Sequence, residues 1–476
     1  MSPAPVDAVV VGAGPNGLAA AITLARAGRS VKVLEAAATP GGGCRSAELT
    51  LPGFVHDVCS AVHPMAAGSP FFKALDLAAR GLELVEPPAC LAHVFDDMPA
   101  AVVERSLEMT AVGLERDGGA WRSLLRPLVD HADDLIAEIM GPLPLLPRHP
   151  FVLARFGLEA ILPATRLAGL RFRGPRARAL FAGVAAHSIL SLDEVITSAF
   201  ALVMTTLAHT VGWPVVRGGS GRLIAALVAE LEALGGTVET GHPVQSTGEL
   251  AGARAVLFDV TPRQLLAICG DELPPRYRGA LQRYRYGPGV FKLDWALSAP
   301  IPWRDPACGG AGTVHLGGTL DEVRASEAAV HAGRVAERPF VILVQPSLFD
   351  PSRAPSGKHT AWAYCHVPPG FEQDMSDAIE AQVERFAPGF RDVVLERHAI
   401  SPRDLETYNA NYVGGDINGG RQDWRQLFTR PTVRPDPYST PNPRFFICSS
   451  ATPPGGAVHG MCGFHAARSA LRKALA

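Results

Sequence analysis

At 476 residues, 47% hydrophobic and 19% charged, the chain exceeds what one hydrophobic core usually organises, so two domains are expected, each able to fold without staples. A net charge of −2 gives no global field to hold a polyanion, which argues against nucleic acid as a partner. The eight cysteines are scattered with no CxxC pair and no zinc-like spacing, which argues against a disulfide framework or a metal centre and fits a reducing cytoplasm.

In VDAVVVGAGPNGLAAAITLARAGRSVKVLEAA, Val6 to Val11 reads as a buried parallel strand, Pro15 to Ala27 as an alanine-rich helix and Ser30 to Leu34 as a second buried strand. No basic leader precedes the first strand, so no secretory signal is expected. Between strand and helix stands G-x-G-x-x-G at Gly12, Gly14 and Gly17. The first glycine permits the tight turn, the second admits a pyrophosphate against the backbone, and the third lets helix and strand pack closely. Phosphates would then sit beside Pro15 and Asn16, on a helix N-terminus whose free N–H groups and dipole favour an anion. Glu35, followed by Ala36, closes the second strand. It can accept hydrogen bonds from both ribose hydroxyls and would repel a 2′-phosphate, which disfavours NADP. Strand, turn, helix, strand and acid in this order predict a dinucleotide-binding unit; the alternative is an α/β unit that uses its glycines only for packing.

TPGGGCRS, Thr39 to Ser46, follows with three glycines and Arg45, a layout suited to a second backbone approach with a cation near the phosphates. That points to FAD rather than NAD. GAGPNG, the acidic strand end and GGGCRS followed by LPGFVHD together resemble the flavoprotein group of phytoene desaturases, carotenoid isomerases and retinol saturases, which is related to the amine oxidases. The resemblance implies FAD contacts at Gly12, Gly14, Gly17, Glu35, Gly42, Gly43 and Arg45, although Gly43 and Cys44 widen the usual spacing before the arginine. It also implies a three-layer α/β, Rossmann-like FAD domain with a parallel sheet, assembled from residues 1–80, 210–265 and 430–476. An α+β substrate domain would take 81–209 and 266–429.

From Trp121 to Trp213 the sequence reads as a helical insertion, interrupted by the proline-rich MGPLPLLPRHP at Met140 to Pro150. The uncharged run Val195 to Val216 is interrupted by Gly212 and Pro214 and reads as a buried helix rather than a membrane span. Arg148, Arg155, Arg166, Arg171, Arg173, Arg176 and Arg178 lie among apolar residues. A solvated helix face is preferred for them, with peripheral contact to a membrane as the alternative. The sequence reads as a helix from Arg222 to Leu234, a strand at Thr237 to Thr240 and a buried strand ending in Asp259; the resemblance implies that these pieces return the chain to the FAD domain, with Val244 beside the adenine. PGVFKLDWAL, Pro288 to Leu297, alternates with period two, setting Phe291, Leu293, Trp295 and Leu297 against Lys292 and Asp294. PFVILVQPS and TAWAYCHVP supply further strands, and Ile379 to Phe386 a helix.

Candidates for chemistry between the domains are His56, His63, Lys292, Tyr412, Asp416 and His459. His56 and Asp57 are neighbours on a strand and point to opposite faces, so they form no acid/base pair. Near the C-terminus PGGAVHGMCG lies between a strand (Arg444 to Ser450) and a helix, and the resemblance brings it back to FAD. Gly455, Gly456, His459, Gly460, Met461 and Cys462 are the contacts implied, with backbone N–H groups near Met461 facing the flavin. His459 and Cys462 alone are too few to bind a catalytic metal. The resulting expectation is an FAD-dependent oxidoreductase transferring hydride at a C–C or C–X bond of a small lipophilic, isoprenoid or polyene substrate, with oxygen or a quinone as electron acceptor. A double-bond isomerase or saturase, an amine-oxidase-like enzyme and a non-catalytic flavin-binding partner protein are the alternatives.

Overall fold

The structure is a computed structural model that describes residues 6–142 and 146–476. Two sheets organise it. In chain order their strands are β1 (Ala8–Val11), β2 (Val31–Leu34), β3 (Ala89–His93), β4 (Ala101–Val103), β5 (Thr237–Glu239) and β6 (Ala255–Phe258). The remainder are β7 (Gly289–Leu297), β8 (Ala311–Leu316), β9 (Val341–Val344), β10 (His359–Val367), β11 (Val394–Ile400) and β12 (Phe445–Ile447). The helices that position the site are α1 (Pro15–Arg26), α2 (Pro150–Ala160), α3 (Pro175–Ala185), α4 (Thr197–Thr210), α5 (Gly221–Ala233) and α6 (Met461–Lys473).

The first sheet is parallel throughout, in the order β12-β6-β1-β2-β5. β1 and β6 are buried along their whole length, and this is why their sequences are continuous apolar runs rather than alternations. One face carries α1, α5 and α6, which share a core with Val10, Val33 and Leu257. Small residues let the helices approach: a Cβ on Gly463 of α6 would collide with the Asn16 carbonyl of α1. The opposite face is covered by helices Pro262–Cys269 and Pro275–Gln282, whose Leu265, Cys269, Tyr277 and Leu281 pack under Val9, Val11 and Phe258. The layer around the parallel sheet therefore continues past residue 265, because those apolar residues have no other core to join.

The second sheet has the order β11-β7-β10-β9-β8-β3-β4 and is antiparallel except where β8 meets β3. β7 is buried on both faces, so the face carrying Lys292 and Asp294 is enclosed rather than solvated. Helices from Leu107 onward, including α2, α3 and α4, cover the side near Leu91 and Ile342 through a core built on Trp121, Leu180 and Phe181. Leu143, Pro144 and Leu145 of the proline-rich break lie outside the described residues. Within Val195 to Val216 the helix is α4, and no helix among the described residues is long and apolar enough to cross a membrane.

Candidate active site

The turn between β1 and α1 puts Gly12 at φ +104, a conformation that side chains resist. A Cβ on Gly17 would collide with the Gly12 carbonyl, so the third glycine of the motif is required by backbone packing. Gly42, at φ +54, stacks on Gly14: its Cβ would lie 3.2 Å from the Gly14 Cα. The two glycine segments thus meet back to back.

Glu35 ends β2 beneath this turn. Its Oε2 accepts the Ala13 N–H at 2.7 Å and its Oε1 accepts the Ala37 N–H at 2.9 Å. Arg45 donates to the same Oε1 at 3.2 Å and to the Thr39 carbonyl, and lies over the Tyr408 ring. The widened spacing before Arg45 therefore brings its guanidinium to Glu35. Ala36 is exposed, and Val244 packs against the cluster containing Leu34.

Asp259, at the end of β6, contributes a charge that the sequence reading left unused. Its Oδ2 accepts the Gly17 N–H at 2.9 Å, and a Cβ on Gly14 would lie 2.8 Å from that oxygen. A carboxylate thus occupies the N-terminus of α1, and burial, with Glu35 nearby, pushes Asp259 up to about 7. The signal was present in the sequence, since the two strands that flank β1, β2 and β6, are each followed by an acid, Glu35 and Asp259.

From this cradle a cavity of about 1220 Å³ extends into the second unit. Pro15, Asn16, Gly43 and Cys44 form one end, and Pro453, Pro454 and Gly456 to His459 close over it. Its walls are Leu153, Phe156 and Ala160 of α2, Ala199, Val203 and Met204 of α4, and Ile342, Val344, Trp362 and Tyr364 of the second sheet. No aspartate or glutamate lines it among the described residues, and Arg434 is its one cation. At the mouth, Ile161, Trp424 and Phe428 both line the cavity and face solvent, and Phe151 and Leu158 of α2 are 89% and 76% exposed.

Tyr412 and His63 are brought to this cavity, but His63 is already committed. Ser220 Oγ donates to the Ser60 carbonyl, so His63 Nε2–H must be the donor in its 2.9 Å bond to Ser220. Burial holds the imidazole down at about 4. Tyr412 places its hydroxyl against Gly43 with Cys59 beside it, and burial pushes that phenol up. His56 is away from the cavity: its Nε2 bonds to Thr50 Oγ1 at 2.8 Å, and burial, then the charge of Lys292, holds it at about 3. Asp57 instead joins Arg353 in a buried pair at 2.6 Å, so the two neighbours do serve opposite faces. Lys292 is 2% exposed; it donates to Asp294 and lies over the Trp362 ring. Asp416 is corrected to a structural role. Its carboxylate accepts the N–H groups of Gly287, Asn418 and Gly420 at 2.7 to 2.8 Å, which leaves it tying loops together outside the cavity lining.

The C-terminal loop also departs from expectation. His459 Nε2 bonds to the Gly455 carbonyl at 3.1 Å, and its Nδ1 accepts the Met461 N–H at 3.0 Å. Both ring nitrogens are used, and the Met461 N–H is not available to a ligand. Cys462 donates to the Thr452 carbonyl, and the space beside Gly460 is filled by Phe71, Phe72 and Ala19. Gly455, Gly460, Met461 and Cys462 serve packing, while Gly456 and the His459 ring reach the cavity. Among the described residues, no group of three or more His, Cys, Asp or Glu is arranged to hold a metal.

A family profile described as NAD(P)-binding Rossmann-like domain matches residues 10–76. The head is a Rossmann-like dinucleotide-binding domain. Over 98% of its length the chain is 27% identical to the rat "Pyridine nucleotide-disulfide oxidoreductase domain-containing protein 2", covering 93% of that protein. It is 27% identical to a "Phytoene dehydrogenase" of Streptomyces griseus, over 84% of this chain and 83% of the relative. A solved structure of putrescine oxidase with putrescine bound superposes with a TM-score of 0.60 at 18% identity, covering 98% of each chain. The overall fold is shared with putrescine oxidase.

Proposed function

We propose that the chain is an FAD-dependent oxidoreductase that exchanges hydride with a C–C or C–X bond of a neutral, lipophilic, chain-like substrate. The observation that carries this reading is the single cavity that begins at Pro15, Asn16 and Gly43 and continues between apolar walls to an apolar mouth. At about 1220 Å³ it exceeds the ~300 to 1,000 Å³ of a one-ligand site, so cofactor and substrate have room together. The cradle suits FAD on its own residues: Pro15 and Asn16 at the head of α1 line the cavity, Glu35 puts an acid at the ribose position, and glycine stands in place of side chains where Gly14 meets Gly42. When bound, the flavin supplies the hydride donor or acceptor, with oxygen or a quinone as the outside electron acceptor.

The protein's own part is orientation and exclusion of water. Leu153, Phe156, Val203 and Met204 hold an apolar chain in the channel, and the aromatic group Trp362, Tyr364 and Tyr412 narrows it toward the cradle. An amine-oxidase-like reaction is the second reading. It is favoured by that aromatic group and by Lys292 behind Trp362. It is weakened by the absence of a lining carboxylate among the described residues, since a cationic amine entering the cavity would find no counter-charge.

The mouth supports delivery from a membrane surface. Phe151, Leu158, Ile161, Trp424 and Phe428 form an exposed apolar rim. Around it, none of Arg148, Arg155, Arg166 and Arg425 pairs with a carboxylate among the described residues, whereas Arg171 pairs with Glu159. Apolar groups with unpaired cations suit an anionic bilayer better than water. The test of the reaction is anaerobic addition of polyenes, amines and reductants to the purified protein while flavin absorbance is followed. Bleaching by a polyene supports the first reading and bleaching by an amine the second, while a spectrum inert to every donor points to a binding protein.

A further inference from the structure

Arg430 is a buried cation without a counter-charge. Its side chain is 0% exposed, its Nη2 donates to the Tyr284 hydroxyl at 2.8 Å and to the Gly419 carbonyl at 3.3 Å, and its Nε and Nη1 have no hydrogen-bond partner among the described residues. No carboxylate among those residues pairs with it. Asp416 is near enough to feel its charge but commits its oxygens to the N–H groups of Gly287, Asn418 and Gly420, and Asp423 pairs with Arg285 and Arg421. A guanidinium keeps its proton in proteins, and removing it from water with nothing opposite is costly. An uncompensated charge of this kind points to an anion that the chain itself does not supply.

Its position identifies the anion. A Cβ on Gly455, which sits at φ +112, would lie 2.7 Å from Arg430 Nη1 and 2.8 Å from Gln422 Oε1, so glycine there lets the guanidinium press against the loop. The next residue, Gly456, lines the cavity, as do Gln422 and His459. One layer of backbone thus separates the charge from the cavity, with no room between them for a small ion. The cradle is one step further off: Gly419, whose carbonyl accepts from Nη2, packs on Ser450, and Asn16 Nδ2 donates to Ser450 Oγ at 3.5 Å. The guanidinium therefore faces what lies just beyond the cradle rather than the phosphate position at Pro15 and Asn16.

The cavity wall supplies little charge there. His63, His187 and His459 line it, bond to Ser220, to His315 and to the Gly455 carbonyl, and are held neutral by burial, at about 4, about 3 and about 4. Arg434 is partly exposed and lies over the Tyr277 ring, so water screens its charge. Hydride transfer breaks a substrate C–H bond and forms N5–H on a flavin, moving two electrons with one proton. The ring gains one negative charge, shared by N1 and O2, and the substrate a positive one that departs to solvent as a proton. A fixed cation one backbone layer away, in a low dielectric, acts on the ring charge without touching it.

We propose that Arg430 is the buried counter-charge to the reduced flavin, stabilising the ring anion across Gly455 and Gly456 and so raising the reduction potential. The inference rests on the flavin reading of the cavity. It is tested by potentiometric titration of the full-length, flavin-loaded protein and of its Arg430→Met and Arg430→Lys variants. Arg430→Met should bind reduced flavin about tenfold less tightly relative to oxidised flavin, a fall of about 30 mV for the two-electron couple. Arg430→Lys, which keeps the charge but not the forked set of donors, should stay near the unmodified value. A residue that only ties loops together would lower thermal stability in both variants and leave both potentials in place, and that result overturns the proposal. A loss of FAD affinity at an unchanged potential assigns the charge to the pyrophosphate and overturns it as well. Should Arg430→Met fail to fold or to hold flavin, the absorption spectrum of the reduced flavin at pH 5.5, where free reduced flavin is neutral, decides. The anionic form in the unmodified protein and in Arg430→Lys supports the proposal, and the neutral form overturns it. A purified protein without flavin removes the reading of the cavity and this proposal with it; a yellow protein with unmoved potentials removes only this proposal.

Discussion

At the head of α1 the segment Gly12 to Gly17 is filled by Asp259 and the Gly12 carbonyl and sets Pro15 and Asn16 on the cavity wall, while the segment Gly455 to Gly463 is filled by Arg430, Gln422, Phe71 and Asn16 and sets Gly456 to His459 there. Both are glycine-rich connections from a buried strand to a helix, and both were expected to present backbone N–H groups to a flavin. In the second, His459 takes the Met461 N–H and returns a bond to the Gly455 carbonyl. Glycine thus serves both loops by keeping backbone close to a neighbour, and the loops differ in what takes their N–H groups, carboxylates in the first and an imidazole in the second.

Substitutions in the two loops sharpen the contrast. Gly17→Ala drives a methyl group into the Gly12 carbonyl and should cost about 4 kcal/mol or more, with loss of bound flavin. Denaturant unfolding and flavin content of the purified protein check this; a yellow, stable variant would contradict the packing. Asp259→Asn acts next. A folded-state value of about 7 lies above the usual carboxylate range, so the native protein holds a proton that the unfolded chain has released. Asp259 therefore lowers stability as pH rises from about 4 to 7, by on the order of 4 kcal/mol, and Asp259→Asn should flatten that slope. Equal slopes for the two proteins between pH 5 and pH 8 would remove Asp259 from the account.

In the second loop, His459→Ala leaves the Gly455 carbonyl and the Met461 N–H without their partner and should cost about 2 to 3 kcal/mol in thermal unfolding. The flavin reduction potential should hardly change, because that N–H is already taken; a large shift would restore the loop as a direct electrostatic contact. The smallest effect belongs to the mouth. Phe151→Ser combined with Leu158→Ser should weaken binding to anionic vesicles about tenfold in a flotation assay while leaving the fold intact. Unchanged flotation would return these residues to an ordinary solvated face.

Most of the first sheet was legible because parallel strands buried on both faces spell themselves as VVVG and AVLF, and because Gly12, Gly14, Gly17 and Glu35 have a fixed order along the chain. Lys292 was legible as a strand residue, but not as a buried ion with Asp294, since alternation gives the face and not what covers it. Asp416 and His459 were plausible catalysts by type, and only their complete sets of hydrogen-bond partners show them to be structural. His187 was not legible at all. Its partner His315 lies on a strand far away in the sequence and meets it only through the fold.

The central claim is that the cradle and the apolar cavity form one site. Its most direct test is a titration of the purified full-length protein with a neutral long-chain ligand, following the absorbance of its bound flavin. The account predicts about one FAD per chain and a saturable spectral change as the ligand enters. A protein without flavin, or a flavin whose spectrum ignores ligand binding demonstrated by calorimetry, would contradict it.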